Sequence, residues 1–178
     1  MRAILFVFLV LVATAAASAE GEVQQRQAMM KEIAEAMSQI DGMFRGQRPY
    51  DGLALATAAE TVRARAGDAM LELFPEASAG NDSQARPEIW ERPEEFADLA
   101  GHLERLAAMV AEAGRANPDA SSDDMRMRPG TPMGGGSVLG GRGTAWPAEG
   151  ESVTAEHAFH LMMETCASCH SSFRLRRD

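Results

Sequence analysis

The sequence predicts an all-α protein, an antiparallel four-helix bundle, and three observations carry that prediction. Helix-forming residues, chiefly Ala, Glu, Met, Leu and Arg, dominate, while aromatics are only 6% and β-branched residues are sparse, a composition that argues against an all-β domain. Apolar positions recur at three- and four-residue steps in four separate stretches, the spacing that holds a stripe on one side of a helix. Those stretches are of matched length, roughly 30–36 Å each at 1.5 Å per residue, and short connections with one long one suit antiparallel packing. At 178 residues the chain has room for one domain, large enough to bury a core without a disulfide scaffold.

The N-terminus reads as an address. Met1-Arg2 supplies a positive charge, Ala3 to Val12 an apolar run, and Ala15 to Ala19 a small-residue stretch before Glu20. That order is the one found in secretory signal peptides, so residues 1–19 are expected to be a cleaved leader and the mature chain periplasmic. The competing reading, a membrane anchor, meets an apolar core of about ten to fifteen residues, short of the ~20 that span a bilayer.

The first helix is expected over about 22–45, with Arg26, Met30, Ile33, Met37, Ile40 and Phe44 on one stripe and Gly46 and Pro49 ending it. The second runs over about 52–73 from Asp51 as N-cap to Phe74-Pro75, because a carboxylate there accepts the first free N–H groups. The third covers about 93–115, with Pro93 in its first turn, Glu94 and Glu95 at its positive end, and Phe96, Leu99, Leu103, Leu106 and Val110 as its stripe. The fourth covers about 153–176, entered from Ser152 or Thr154, with Arg174, Arg176 and Arg177 in its last turn. Residues 117–151 differ. Eight of the sixteen glycines and four of the eight prolines fall there, a composition expected to form a flexible surface loop.

Charge excludes whole classes of partner. Lys+Arg 17 against Asp+Glu 26 gives −9, so the chain lacks the basic footprint of a nucleic-acid or anionic-membrane binder. Beyond the leader, no stretch is long and apolar enough for stable membrane insertion.

The chemistry lies near the C-terminus. Cys166-Ala167-Ser168-Cys169-His170 has the C-x-x-C-H spacing of covalent c-type haem attachment. Two thiols add across two vinyl groups of one porphyrin, and the adjacent imidazole coordinates iron beneath the same plane. On a helix, Cys166, Cys169 and His170 share a face, which Phe159, Met163 and Phe173 extend, so the cofactor is expected inside the bundle. A disulfide-exchange pair normally opens a helix, where the dipole lowers the thiol pKa; here the pair lies late in the last one. A zinc site lacks ligands, since no second C-x-x-C exists and His102, His157 and His160 make no recognised spacing with it.

With this motif beside the C-terminus of a four-helix bundle, the chain resembles the cytochrome c-prime family. Cys166 to Arg174 is similar to the family ending, Arg86-Pro87-Glu88-Ile89-Trp90 to its loop before the third helix, and Pro49-Tyr50-Asp51 to its first inter-helix turn. Arg26 with an apolar residue four positions on is also family-like. The Gly-rich segment is longer than the family pattern. The resemblance implies one covalent haem c, with Cys166 and Cys169 as attachment points and His170 as the proximal iron ligand. It also implies that Met30 faces the distal side.

Two readings of Met30 compete. Relatives with Met there are six-coordinate, low-spin electron carriers, and a thioether raises the potential relative to harder ligands. The alternative is a Met that merely packs, leaving a five-coordinate iron that binds nitric oxide or carbon monoxide. The stripe sets Met30 inward with Ile33 and Met37, and Met29 about 100° round the helix. Arg26 is a candidate partner for a haem propionate, and Arg174, one turn beyond His170, for the proximal imidazole or a propionate. The expected function is a non-enzymatic one-electron carrier meeting periplasmic redox proteins through small transient surfaces. Resemblance further implies that two copies can pair as a homodimer.

Overall fold

The computed structural model describes residues 2–76, 78, 82–123, 125–127 and 153–176, with side chains described from residue 21 onward. Helix α1 (Arg2–Phe44) buries Val23, Arg26, Met29, Ile33, Ala36, Ile40 and Phe44, a stripe at three- and four-residue steps. It ends at Gly46, whose φ of 68° is unfavourable for a residue with a side chain. Helix α2 (Gly52–Arg65) starts where Asp51 accepts the Ala54 N–H at 2.9 Å, as expected of that N-cap.

The second helix does not continue to 73. It stops at Arg65, and Gly67 turns the chain with φ 57° before a single turn, α3 (Asp68–Leu71). The break has a tertiary cause. Gly67 donates its N–H to Ala100 O at 3.1 Å, and a Cβ there would lie 2.2 Å from Glu104 Oε2.

A turn, α4 (Glu88–Glu91), leads into α5 (Pro93–Ala116), which carries Phe96, Leu99, Leu103, Leu106 and Val110 into the core. Helix α6 (Ala155–Phe173) is capped by Thr154, whose side chain accepts the His157 N–H. It ends earlier than the charge pattern predicts. Arg174 is extended and bridges Ala85 in a short antiparallel pairing, with Arg86 N–H donating to Phe173 O at 2.9 Å and Leu175 N–H to Gln84 O at 2.8 Å. Arg174 and Arg176 therefore lie beyond the last helical turn, and Arg177 lies outside the described residues.

The long helices α1, α2, α5 and α6 form the bundle. Helix α2 packs extensively against α1 and α5, and α5 against α6, whereas α1 touches α6 where Phe44 packs on Phe159. The close α2–α5 approach rests on two glycines. A Cβ on Gly52 would meet Gly114 O at 2.6 Å, and one on Gly114 would meet Gly52 O at 2.6 Å.

The segment read as a flexible loop over 117–151 is packed at its start. Met125 is 1% exposed, Tyr50 donates its hydroxyl to Asn117 O at 2.7 Å, and Glu156 N–H donates to Met125 O at 2.9 Å. Arg126 donates to Phe44 O at 2.6 Å. Residues 128–152 lie outside the described residues, and so do the side chains of the expected leader. Among the described residues no helix is long and apolar enough to cross a membrane.

Candidate functional site

A cavity of about 740 Å³ lies between α1 and α6, a size within the usual range for cofactor sites. Helix α6 supplies Met163, Cys166, Cys169 and His170 to one wall, and α1 supplies Arg26, Met30, Ile33 and Met37 to the other. Phe74, Phe96 and Phe173 line the cavity and form an aromatic ladder, with edge-on ring contacts at 5.1 and 5.4 Å. Such pairs hold ring orientation as well as burying area.

Met29 and Met30 separate, but not in burial as the stripe with Met30 inward predicts: Met29, not Met30, is the fully buried one. Met30 is half-buried and lines the cavity, while Met29 is buried in the core and does not line it. Phe159 departs from expectation. Rather than extending the cavity wall it packs on Phe44 at 5.7 Å, because two turns above Cys166 it reaches the end of α1.

Cys166 and Cys169 are free thiols, half-buried. Burial pushes the Cys166 thiol up, and burial with Cys166 alongside pushes Cys169 to about 12. Thiol–disulfide exchange needs the opposite shift, so the environment disfavours that alternative. His170 is exposed at the cavity rim. Partial burial, and then the charge of Arg174, hold its pKa below the usual imidazole value, which favours the neutral, ligating form. Among the described residues no group of three or more metal-binding side chains gathers elsewhere.

Two charged side chains, Arg26 and Arg174, line the cavity of this acidic protein, and among the described residues no carboxylate joins them. Arg174 donates its Nε to Gln84 Oε1 at 2.9 Å and its backbone N–H to His170 O at 3.2 Å. Arg26 is 5% exposed. Its Nε donates to Glu22 O at 3.3 Å, its Nη2 to Ser78 O at 2.5 Å, and its Cζ lies 4.8 Å over the Phe74 ring. Its Nη1 finds no partner among the described residues. Paired free thiols, an imidazole, apolar walls and cationic groups without acids are the donor set that a haem with two carboxylate side chains requires. The residues present fit that group.

A family model described as Cytochrome C′ matches residues 21–128, more than half of the chain. The chain belongs to the cytochrome c′ family. Haem c, covalently attached through its family's thioether chemistry, is therefore its cofactor. The matched stretch contains Arg26, Met30 and the Arg86–Trp90 loop, and ends before Cys166. Cytochrome c-554 of Cereibacter sphaeroides is 36% identical over 52% of the chain, and the match spans 63% of that relative, under two thirds of its length. Cytochrome c-556 of Agrobacterium tumefaciens is 29% identical over 88% of the chain and 99% of its own length. Among solved structures, cytochrome c prime from Shewanella frigidimarina has a TM-score of 0.63 at 19% identity, covering 89% of this chain and 97% of that one. At that identity the likeness shows the four-helix fold.

Several cavity residues escape a reading by helical stripe. Phe74, Gln84, Ala85 and Ile89 come from connections. Trp90, read as part of a family loop, positions them: its indole N–H donates to Phe74 O at 3.2 Å and Pro75 O at 3.0 Å.

Proposed function

We propose that this chain is a periplasmic one-electron carrier whose haem is tethered by Cys166 and Cys169, with His170 as proximal and Met30 as distal iron ligand. The observation that carries the reading is the placement of the thiol–imidazole set on α6 and Met30 on α1 across one cavity. Bound haem supplies the Fe(III)/Fe(II) couple; the chain's residues hold it rigid, limit water and set its potential through ligands and burial. Arg26 pairs a propionate, and Arg174, hydrogen-bonded to Gln84, tunes the proximal side electrostatically. No bond in a substrate is made or broken, so the role is not enzymatic.

The charged–apolar–small order of residues 1–19 supports export. Partners are other periplasmic redox proteins. A homodimer is part of the same proposal, since one similar structure is a cytochrome c′ with ligand-controlled dimer dissociation; sedimentation of the holoprotein tests it.

The optical spectrum decides the axial ligand. The holoprotein is expected to be low-spin in both oxidation states, with a weak methionine–iron charge-transfer band, and inert to carbon monoxide. Met30→Ala is expected to become high-spin and bind carbon monoxide; an unchanged spectrum rejects Met30 as ligand. The second reading, an open site for small gases, draws on a similar structure that is a nitric oxide complex of a point mutant of a cytochrome c prime from Alcaligenes xylosoxidans. A high-spin parent spectrum that responds to carbon monoxide selects it.

A further inference from the structure

A cation bonded to a carboxylate keeps its contact but loses most of its field, whereas one bonded to a neutral oxygen keeps both. Among the described residues seven arginines pair with a carboxylate, and none of the seven lines the cavity. The two that do line it bond to neutral oxygens instead. Arg26 donates to two backbone carbonyls. Arg174 donates its Nε to the side-chain amide oxygen of Gln84 at 2.9 Å, its one side-chain bond among the described residues. The same segment has an acid at hand: Arg86, two positions from Gln84, takes Glu88 and stays off the cavity wall.

Gln84 is itself fixed. It is half-buried and lines the cavity with His170 and Arg174. Its backbone carbonyl accepts the Leu175 N–H at 2.8 Å, one of two backbone bonds flanking the Ala85–Arg174 bridge. Arg174 is exposed, and an unheld arginine there would sweep its charge through screening solvent. Position 84 therefore sets where that charge stands, and its neutrality sets how much of the charge remains.

We infer that Gln84 is a positioning residue for electron transfer, holding the Arg174 guanidinium at the cavity rim with its charge uncancelled. The inference rests on the haem reading above and deepens it with a residue from the connection between α3 and α4. A fixed positive charge beside the metal site disfavours the more positive Fe(III) state and so raises the potential. Gln84 acts on the iron only through Arg174, and no bond is made or broken.

Reduction potentials of the holoprotein at fixed pH and ionic strength, with the optical spectrum as a check on axial ligation, test the assignment. Gln84→Leu, which keeps the bulk but not the oxygen, is expected to retain haem and spectrum and to fall in potential part of the way to Arg174→Gln. In the Arg174→Gln background the same substitution should leave the potential unchanged, because a double-mutant cycle isolates the coupling between the two residues. Gln84→Glu keeps an oxygen for Nε but cancels the charge, and should lower the potential beyond Gln84→Leu. A Gln84→Leu protein with the parent potential overturns the inference. So does a shift of equal size with and without Arg174, or a Gln84→Glu protein at the parent value. In each of those three cases the electron-carrier reading stands, whereas a chain isolated without haem overturns both.

Discussion

His102 sits at 2% exposure on α5, and burial, followed by the charge of Arg105, holds its pKa below the ordinary 6.5. Below pH 6.5 the unfolded chain therefore binds more protons than the folded one, and stability falls as pH drops toward the folded pKa. Urea midpoints should decrease from pH 7.5 to pH 5, and His102→Gln should flatten that slope; a slope unchanged by the substitution would place its origin elsewhere. This residue also marks a limit of sequence reading. Its position in the apolar run of α5 signals burial once the stripe is widened by one residue, yet as one of three unassigned histidines it carries no chemical signature. Cys166, Cys169 and His170 are the opposite case. The role proposed for them rests on their spacing in the chain, which is visible without any fold. Gln84 shows no spacing at all, because its place is set by a contact with Arg174 far away in the chain.

Helix starts were legible where a side chain caps them. Asp51→Ala should cost about 1 kcal/mol through loss of the bond to Ala54 N–H. The neighbouring Gly52→Ala should cost more, about 1–3 kcal/mol, since the added methyl meets backbone of α5 that has no room to yield. Chemical denaturation of the two holoprotein variants ranks them, and equal losses would refute the close-approach argument. The end of α2 was not legible, because Ala66 and Gly67 break a continuing apolar pattern only to reach Ala100 and Glu104 on another helix. The end of α6 misled for a similar reason. Arginines near a C-terminus suit a helix dipole, but pairing of Arg174 with Ala85 drew the chain into an extended form.

At the scale of the molecule, the four long helices followed from periodicity, whereas the connections lining the cavity did not, since bonds to backbone carbonyls leave no periodic trace. The large apolar cavity implies that haem is part of the core. Protein produced without haem attachment should keep most far-ultraviolet helical signal but lose near-ultraviolet signal and melt at a lower temperature than the holoprotein, the pattern of helices without fixed packing. A haem-free chain with the same melting temperature would mean that the cavity walls support themselves.

Helices α1 and α6 are the first and last of the bundle, and among the described residues the seam between them lacks the extensive packing of the α1–α2, α2–α5 and α5–α6 seams. With the thioethers proposed on α6 and the sulfur ligand proposed on α1, the metal centre would be a clasp joining distant parts of the polypeptide. Without that ligand, α1 would still be held by its packing on α2 and by the Phe44–Phe159 contact, so the clasp would reinforce the bundle without carrying it alone.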